Sequence, residues 1–446
     1  MNRDINIDIE KLQKIEKVIL NTLEQSRVDE NSPLRKGSIR LPYPYLSIAK
    51  GRNLMFYWDT YYTNLGILYN KKYRRYAVWA TDNLLYLVKK LGYIPNSTEP
   101  WGLNRSQIPY LSQTVRDLYE SAATKDKSWL RKAYDIMKIE YEFWTNSDSN
   151  HIENHETSIN GLQRFSHHAS EKEMLTYFKE ISIRFDFDDL TDNEKIVLAD
   201  HWLAEAEAGL DFTPRFENRC ADFIPICLNS NLYMYEKNFQ WMVEELNLDN
   251  EPDWGTMADK RKGRINKYLW NEKRGLYLDY DFKNNRHSNV ASVVNFYTLW
   301  AGVASQEQAK KIVDNMSLFE YKYGITVCEK KKHDRVYQWD YPAGWPSTHC
   351  YVVKALDNYG YKAEAYRIAE KYLNLAAKNF ENPKPPHAYD PETKRMLYRV
   401  KGKLYEKYNV VTGGLYDAEY ASNEFMGWST GVFLYLKNYL VNEKII

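Results

Sequence analysis

Four segments of this chain set a carboxylate beside an aromatic ring in sequence that resists regular helix. Tyr57-Trp58-Asp59 follows Gly51-Arg52. Glu207-Ala208-Gly209-Leu210-Asp211-Phe212 precedes Arg215. Gln338-Trp339-Asp340 leads through Tyr341-Pro342-Ala343-Gly344 to Trp345. Glu406-Lys407-Tyr408 runs on to Gly413-Gly414, Glu419-Tyr420 and Gly427-Trp428. A flat ring can stack on a sugar face while a carboxylate takes its hydroxyls. Cleaving a glycosidic bond also needs two carboxyl groups, one to protonate the leaving oxygen and one to activate water or attack the sugar. A capping Asp next to a core Trp would explain any one of these segments, but four in one chain point to a site.

Composition supports a neutral, small ligand. The 446 residues carry 61 basic and 60 acidic side chains, a net charge of +1. No basic excess marks a nucleic-acid surface, and no run of like charge marks a tail. Aromatic content is 15%, with 38 Tyr and 13 Trp; a sugar site and an aromatic-rich helical core would each account for it. Cys220, Cys227, Cys328 and Cys350 are too far apart for a zinc or redox motif, and read as buried free thiols in a reducing compartment. Adjacent His167-His168 point in different directions on a helix, with no further ligands at useful spacing. Neither a metal nor a cofactor is expected. The charged N-terminal stretch is no signal peptide, and no stretch approaches the roughly 20 apolar residues of a membrane helix. A cytoplasmic location with no membrane partner follows as an expectation. Oligomeric state is not legible.

Helices must position these segments. Ile9, Leu12, Ile15, Ile19 and Leu23 recur at helical spacing, within an N-terminal helical segment over 1–38. The stretch from Tyr76 to Leu91 does the same, and Gly92 can close it in a left-handed cap. Trp129 to Trp144 and Ala365 to Ala376 repeat the pattern. Ser305 with Gln308 forms a capping-box signature. Gly275 to Tyr280 alternates like one small strand, and Asp279 and Asp281 read as turn residues. The polar run Asn146 to Asn160 reads as an excursion. With no linker and no fixed-period repeat, one all-α domain over 1–446 is expected. Its long Pro-, Gly- and Trp-containing connections should be functional.

In order and wording, these segments resemble the trehalases, inverting hydrolases of α,α-trehalose. Gly51-Arg52 precedes Tyr57-Trp58-Asp59, as in the family, with one residue fewer between. Pro95-Asn96 and Asn104-Arg105-Ser106-Gln107-Ile108-Pro109 follow at matching separation. Ala206 to Arg215, Leu228-Asn229-Ser230, Gln338 to Trp345, Glu406 to Val410, and Glu419-Tyr420 with Gly427-Trp428 complete the series. The resemblance spans about Arg40 to Leu436. It implies an (α/α)6 barrel with its pocket formed by loops at one end. It also implies Asp211 as general acid and Glu406 as general base. By the same carry-over Arg52, Trp58, Asp59, Asn96, Arg105, Gln107, Gly209 and Glu419 would bind sugar, and Trp339, Asp340, Trp345 and Trp428 would line the pocket. Asp340 is the alternative acid.

Five departures affect the pocket walls. The family's Arg-Pro-Glu tripeptide, whose arginine contacts substrate, is missing; Arg164 is assigned its place, with Arg184 the other candidate. Leu210 and Phe216 stand where Trp is usual, Cys227 where Asp is usual, and His349 where Gln is usual. Trehalose is the leading substrate. Another α-glucoside or α-mannoside, such as glucosyl- or mannosyl-glycerate, is the alternative, and a non-catalytic sugar-binding relative is the contrasting class. A pure binder has no use for both Asp211 and Glu406.

Overall fold

Outer and inner helices alternate along most of the computed structural model, which describes residues 6–145, 158–185, 189–333, 335–390, 394–425 and 427–446. The outer α1 (Ile9–Thr22) is followed by inner α2 (Tyr57–Ile67), outer α3 (Arg74–Leu91), inner α4 (Leu111–Glu120) and outer α5 (Lys127–Thr145). A hairpin of α6 (Glu171–Ile181) and α7 (Asp192–Ala208) interrupts the alternation. It resumes with inner α8 (Ile226–Leu246) and outer α9 (Trp254–Leu269), then inner α10 (Tyr297–Ala301) and outer α11 (Gln306–Asp314). Inner α12 (Pro346–Asn358), outer α13 (Lys362–Glu381) and inner α14 (Trp428–Asn442) complete the chain. The inner helices pack in the order α2, α4, α8, α10, α12, α14, and α14 returns to α2. This is the expected (α/α)6 barrel. The N-terminal helix α1 packs against α13 and α14 and so occupies an outer-ring position.

Side-chain pattern explains which ring a helix joins. Every residue of α2 is buried, as an element packed on all sides requires. In α3 the buried residues lie on one stripe through Tyr76, Ala80, Leu84 and Val88. Gly92 ends α3 at φ 86°, and Ser305 and Gln308 form the capping box of α11. The ring closes where α2 meets α14 through glycine: a Cβ on Gly66 would collide with the Gly431 backbone, and one on Gly431 with the Tyr62 carbonyl. Much of the tyrosine fills the ring interior. Tyr61 stacks on Tyr110 at 4.7 Å, and the Tyr62 and Tyr110 hydroxyls are 2.9 Å apart. The four cysteines are buried and unpaired.

Two expectations need correction. Gly275 to Tyr280 is not one strand. Leu276–Tyr277 pairs with Trp270–Asn271, and Tyr280–Asp281 pairs with Phe223–Ile224 and Arg286–His287. Asp279, between them, is no turn residue: it is buried and takes two hydrogen bonds from Arg215, at 2.8 and 2.7 Å. Asp281 does cap a turn, accepting from the Asn284 N–H. Most of the polar run Asn146 to Asn160 lies outside the described residues; its end, Ser158–Ile159, pairs with Leu162–Gln163.

Candidate active site

Asp211 stands three residues beyond the end of α7, and the end of α7 is held from three sides. Gly209 closes the helix at φ 72°, and a Cβ there would press on the Trp58 indole. The Asn96 amide donates to the Ala206 carbonyl at 3.1 Å. The Glu207 carboxylate accepts from the N–H groups of Ser106 and Ser166 at 2.9 and 2.7 Å. These contacts join α7 to the loop bearing Arg105 and Gln107. Gln107 in turn accepts from the Trp58 N–H at 3.1 Å, capping α2, whose own N-cap Phe56 has no side chain to offer. Trp58 and Asp59 are thereby fixed in the first turn of a buried helix.

Glu406 arrives on the opposite loop. A three-stranded sheet of Ala343–Gly344, Tyr408–Asn409 and Gly414–Leu415 ties that loop to the Trp339–Trp345 segment. The carboxylate accepts from the Tyr420 hydroxyl at 2.9 Å and lies 4.0 Å from the Lys407 ammonium.

These elements enclose a cavity of about 510 Å³, within the roughly 300–1,000 Å³ of small-molecule sites. Asp211 and Glu406 both line it, with Arg52, Trp58, Asp59, Asn96, Arg105, Gln107, Gly209, Trp339, Trp345 and Trp428. One wall is a cluster of four indoles. Trp339 stacks on Trp345 at 3.7 Å, and Trp428 meets Trp58 and Trp345 edge-on at 5.4 and 5.7 Å.

Asp211 and Glu406 have different surroundings. Burial pushes Asp211 up to about 6, with Glu406 adding to the rise and Arg184 and Arg105 opposing it. Asp59 is raised well above the carboxylate range by burial, with Glu406 and Asp211 contributing. Glu406 instead sits between a phenol donor and an ammonium group. Asp211 and Glu406 thus meet unlike neighbours across one cavity.

Three expected site residues do not line the cavity. Arg164 is turned away: it donates to the Phe165 carbonyl at 3.1 Å, and its charge acts on Asp200 and His201 of α7. Arg184 lines the cavity in its place; it lies just after α6, on the hairpin between α5 and α8. Glu419 stands one layer back, with Oε2 3.8 Å from Arg184 Nη1. Asp340 lies behind Trp339, its carboxylate 3.5 Å from His333 Nε2, so it is not placed to act as an alternative acid. Residues given no role from sequence also line the cavity, notably Tyr177, Gln338 and Tyr420. Tyr420 and Gln338 were visible only as members of their motifs; Tyr177 sits in an ordinary amphipathic helix and carries no signal.

His349 supports this wall from behind. Its Nδ1–H donates to the Trp345 carbonyl at 2.7 Å, and Nε2 accepts from the Ile325 N–H at 2.9 Å. Burial lowers its pKa from 6.5 to about 4. A proton on Nε2 would displace the Ile325 bond, so the folded state resists protonation that the unfolded chain accepts below about 6.5. Stability from this residue is therefore intact at pH 7 and is lost as pH falls toward 4, by about 3 kcal/mol. Glutamine can donate and accept without titrating. The stability advantage of wild type over His349→Gln, followed by denaturant unfolding, is expected to shrink by that amount between pH 7 and pH 4; a constant difference would remove His349 from this role.

Comparison with known proteins agrees with this architecture. The family described as Trehalase matches residues 2–388. The cytosolic neutral trehalase of Kluyveromyces lactis is 30% identical over 90% of this chain and 56% of its own length. The chain spans a little over half the length of the curated relatives it matches first. Among solved structures, the neutral trehalase of Saccharomyces cerevisiae superposes with a TM-score of 0.71 at 23% identity, covering 97% of this chain and 80% of that one. A mannosylglycerate hydrolase from Thermus thermophilus shares the fold with a TM-score of 0.61 at 14% identity, covering 95% and 100%. With its family motifs placed around one aromatic-walled cavity, this chain belongs to the trehalase family.

Proposed function

We propose that this protein hydrolyses α,α-trehalose to two glucose molecules with inversion at the attacked carbon. One observation carries the reading: Asp211 and Glu406, far apart in sequence, face one cavity in environments suited to opposite proton roles. Asp211, raised by burial, protonates the glycosidic oxygen as the bond breaks. Glu406 takes a proton from water, which attacks the anomeric carbon from the other face. The indoles pack against sugar faces and exclude water. Asp59, Asn96, Gln107 and the Arg52, Arg105 and Arg184 guanidinium groups address hydroxyls; a planar fork can hold two at once.

Four buried, unpaired thiols suit a reducing compartment, and the Kluyveromyces relative is named cytosolic. We assign the protein to the cytoplasm, which cell fractionation tests. Among the described residues no helix is long and apolar enough to cross a membrane.

Proton NMR of trehalose turnover tests the reaction. Inversion releases one β-glucose and one α-glucose from each molecule, before mutarotation mixes them. Release of α-glucose alone would rule out inversion. Turnover of glucosyl- or mannosyl-glycerate in a parallel sample, with trehalose untouched, would reassign the substrate.

A further inference from the structure

Gln338 uses every polar atom it has, and its side chain spans the two halves of the site. Its amide Nε2 donates to the backbone carbonyl of Asp211. Its Oε1 accepts from Lys407 Nζ at 3.4 Å. Its own N–H donates to Glu419 Oε1 at 3.4 Å, and its carbonyl accepts from the Trp345 indole N–H at 3.2 Å. The next residue continues the link, with the Trp339 N–H donating to the Phe212 carbonyl at 3.1 Å. Lys407 is fully buried, lies 3.2 Å from the centre of the Tyr420 ring, and adjoins Glu406. Tyr420 itself donates to Glu406. An unbroken polar chain thus runs from the Asp211 backbone through Gln338 and Lys407 to Glu406.

We infer that Gln338 is a positioning residue, a crossbar that with Lys407 holds the acid-bearing loop and the base-bearing loop at working separation. The inference rests on the acid and base roles proposed above. A misplacement on the order of 1 Å in such a site costs about 10²-fold in rate.

Gln338→Met and Lys407→Met each keep length and bulk while breaking the chain. Each is expected to lower kcat about 30- to 100-fold with KM within about threefold. Because both cut the same link, the double variant should fall no more than about threefold below the worse single. A double-variant loss equal to the product of the singles, a kcat within about threefold of wild type, or a loss confined to KM would each overturn the crossbar.

Gln338→Glu keeps the shape and covers the case in which Gln338→Met does not fold. Its protonated carboxyl can still donate to the Asp211 carbonyl and accept from Lys407, whereas its ionised form cannot donate. The Lys407 ammonium favours ionisation; burial and the facing Glu419 and Asp211 oppose it. Near pH 5 this variant should keep kcat within about fivefold of wild type, and it should lose activity at lower pH than wild type as pH rises. A Gln338→Glu profile parallel to wild type at every pH would refute the hydrogen-bonding role.

Wild-type turnover of trehalose tests the proposed reaction separately. Without turnover, the crossbar is read from calorimetric binding of 1-deoxynojirimycin, a glucose-shaped cation whose charge would face the Asp211 and Glu406 carboxyl groups lining the cavity. Gln338→Met should bind it about tenfold more weakly; unchanged affinity overturns the proposal.

Discussion

Asp211→Asn is expected to reduce kcat for trehalose by about three orders of magnitude, and Glu406→Gln by as much, with melting temperatures close to wild type. General acid–base groups contribute on the order of 10²–10⁴-fold, and an α-glucosidic bond between two sugars has a poor leaving group that needs its proton early. The two variants should differ with α-glucosyl fluoride, whose leaving group needs no proton. Asp211→Asn should recover most of its rate on that substrate, whereas Glu406→Gln should not, because water must still be activated. Equal recovery by both variants would exchange or abolish the assigned roles. Near-normal rates on trehalose would end the reading altogether. The pH profile carries the same information. Asp211 must be protonated, and burial holds it at about 6, so kcat/KM should decline as pH rises through about 6.

Arg184→Met is the second large effect, an expected loss of about 100-fold in kcat/KM, or about 2.7 kcal/mol. Arg184 lines the cavity, is partly buried with 15% of its side chain exposed, lies 3.8 Å from Glu419, and its guanidinium is 5.6 Å from the Tyr420 ring. Its removal takes a donor from the cavity wall and leaves the buried Glu419 carboxylate without that cation. It also removes the strongest influence holding Asp211 down. The limb of the pH profile set by Asp211 should therefore move to higher pH. Arg164→Met is the control: its side chain points to the Phe165 carbonyl, so rates should stay within about threefold of wild type. If Arg164→Met loses activity and Arg184→Met does not, the arginine has been misassigned.

These variants separate what could be read from residues in order from what could not. Helical spacing identified α1, α3, α5 and α13, and capping chemistry identified the ends of α3 and α11, because those signals act within a few residues. The segments at 211, 339–345 and 406 declared themselves because a carboxylate beside an aromatic ring in a loop-forming stretch is not what a helix surface needs; the segment at 58–59, expected to resist helix, opens the buried helix α2 instead. Their common cavity was implied only through resemblance to a family.

Arg164 against Arg184 shows the limit. Both arginines lie in the same interrupted region, and nothing local distinguishes a side chain facing the cavity from one facing Asp200. The α6–α7 hairpin makes that choice by packing Phe178 on Trp202, 5.4 Å apart, which carries Arg184 over the cavity. Asp279 misled for the same reason. Its position between short strands suggests a turn, yet its partner Arg215 is 64 residues away. Chain-local chemistry therefore determined several helices and the carboxylate-bearing segments, and resemblance to the family singled out Asp211 and Glu406 among them. Only the closed ring decided which charged groups share a space, because burial and Coulomb interaction depend on distance through the fold rather than on distance along the chain.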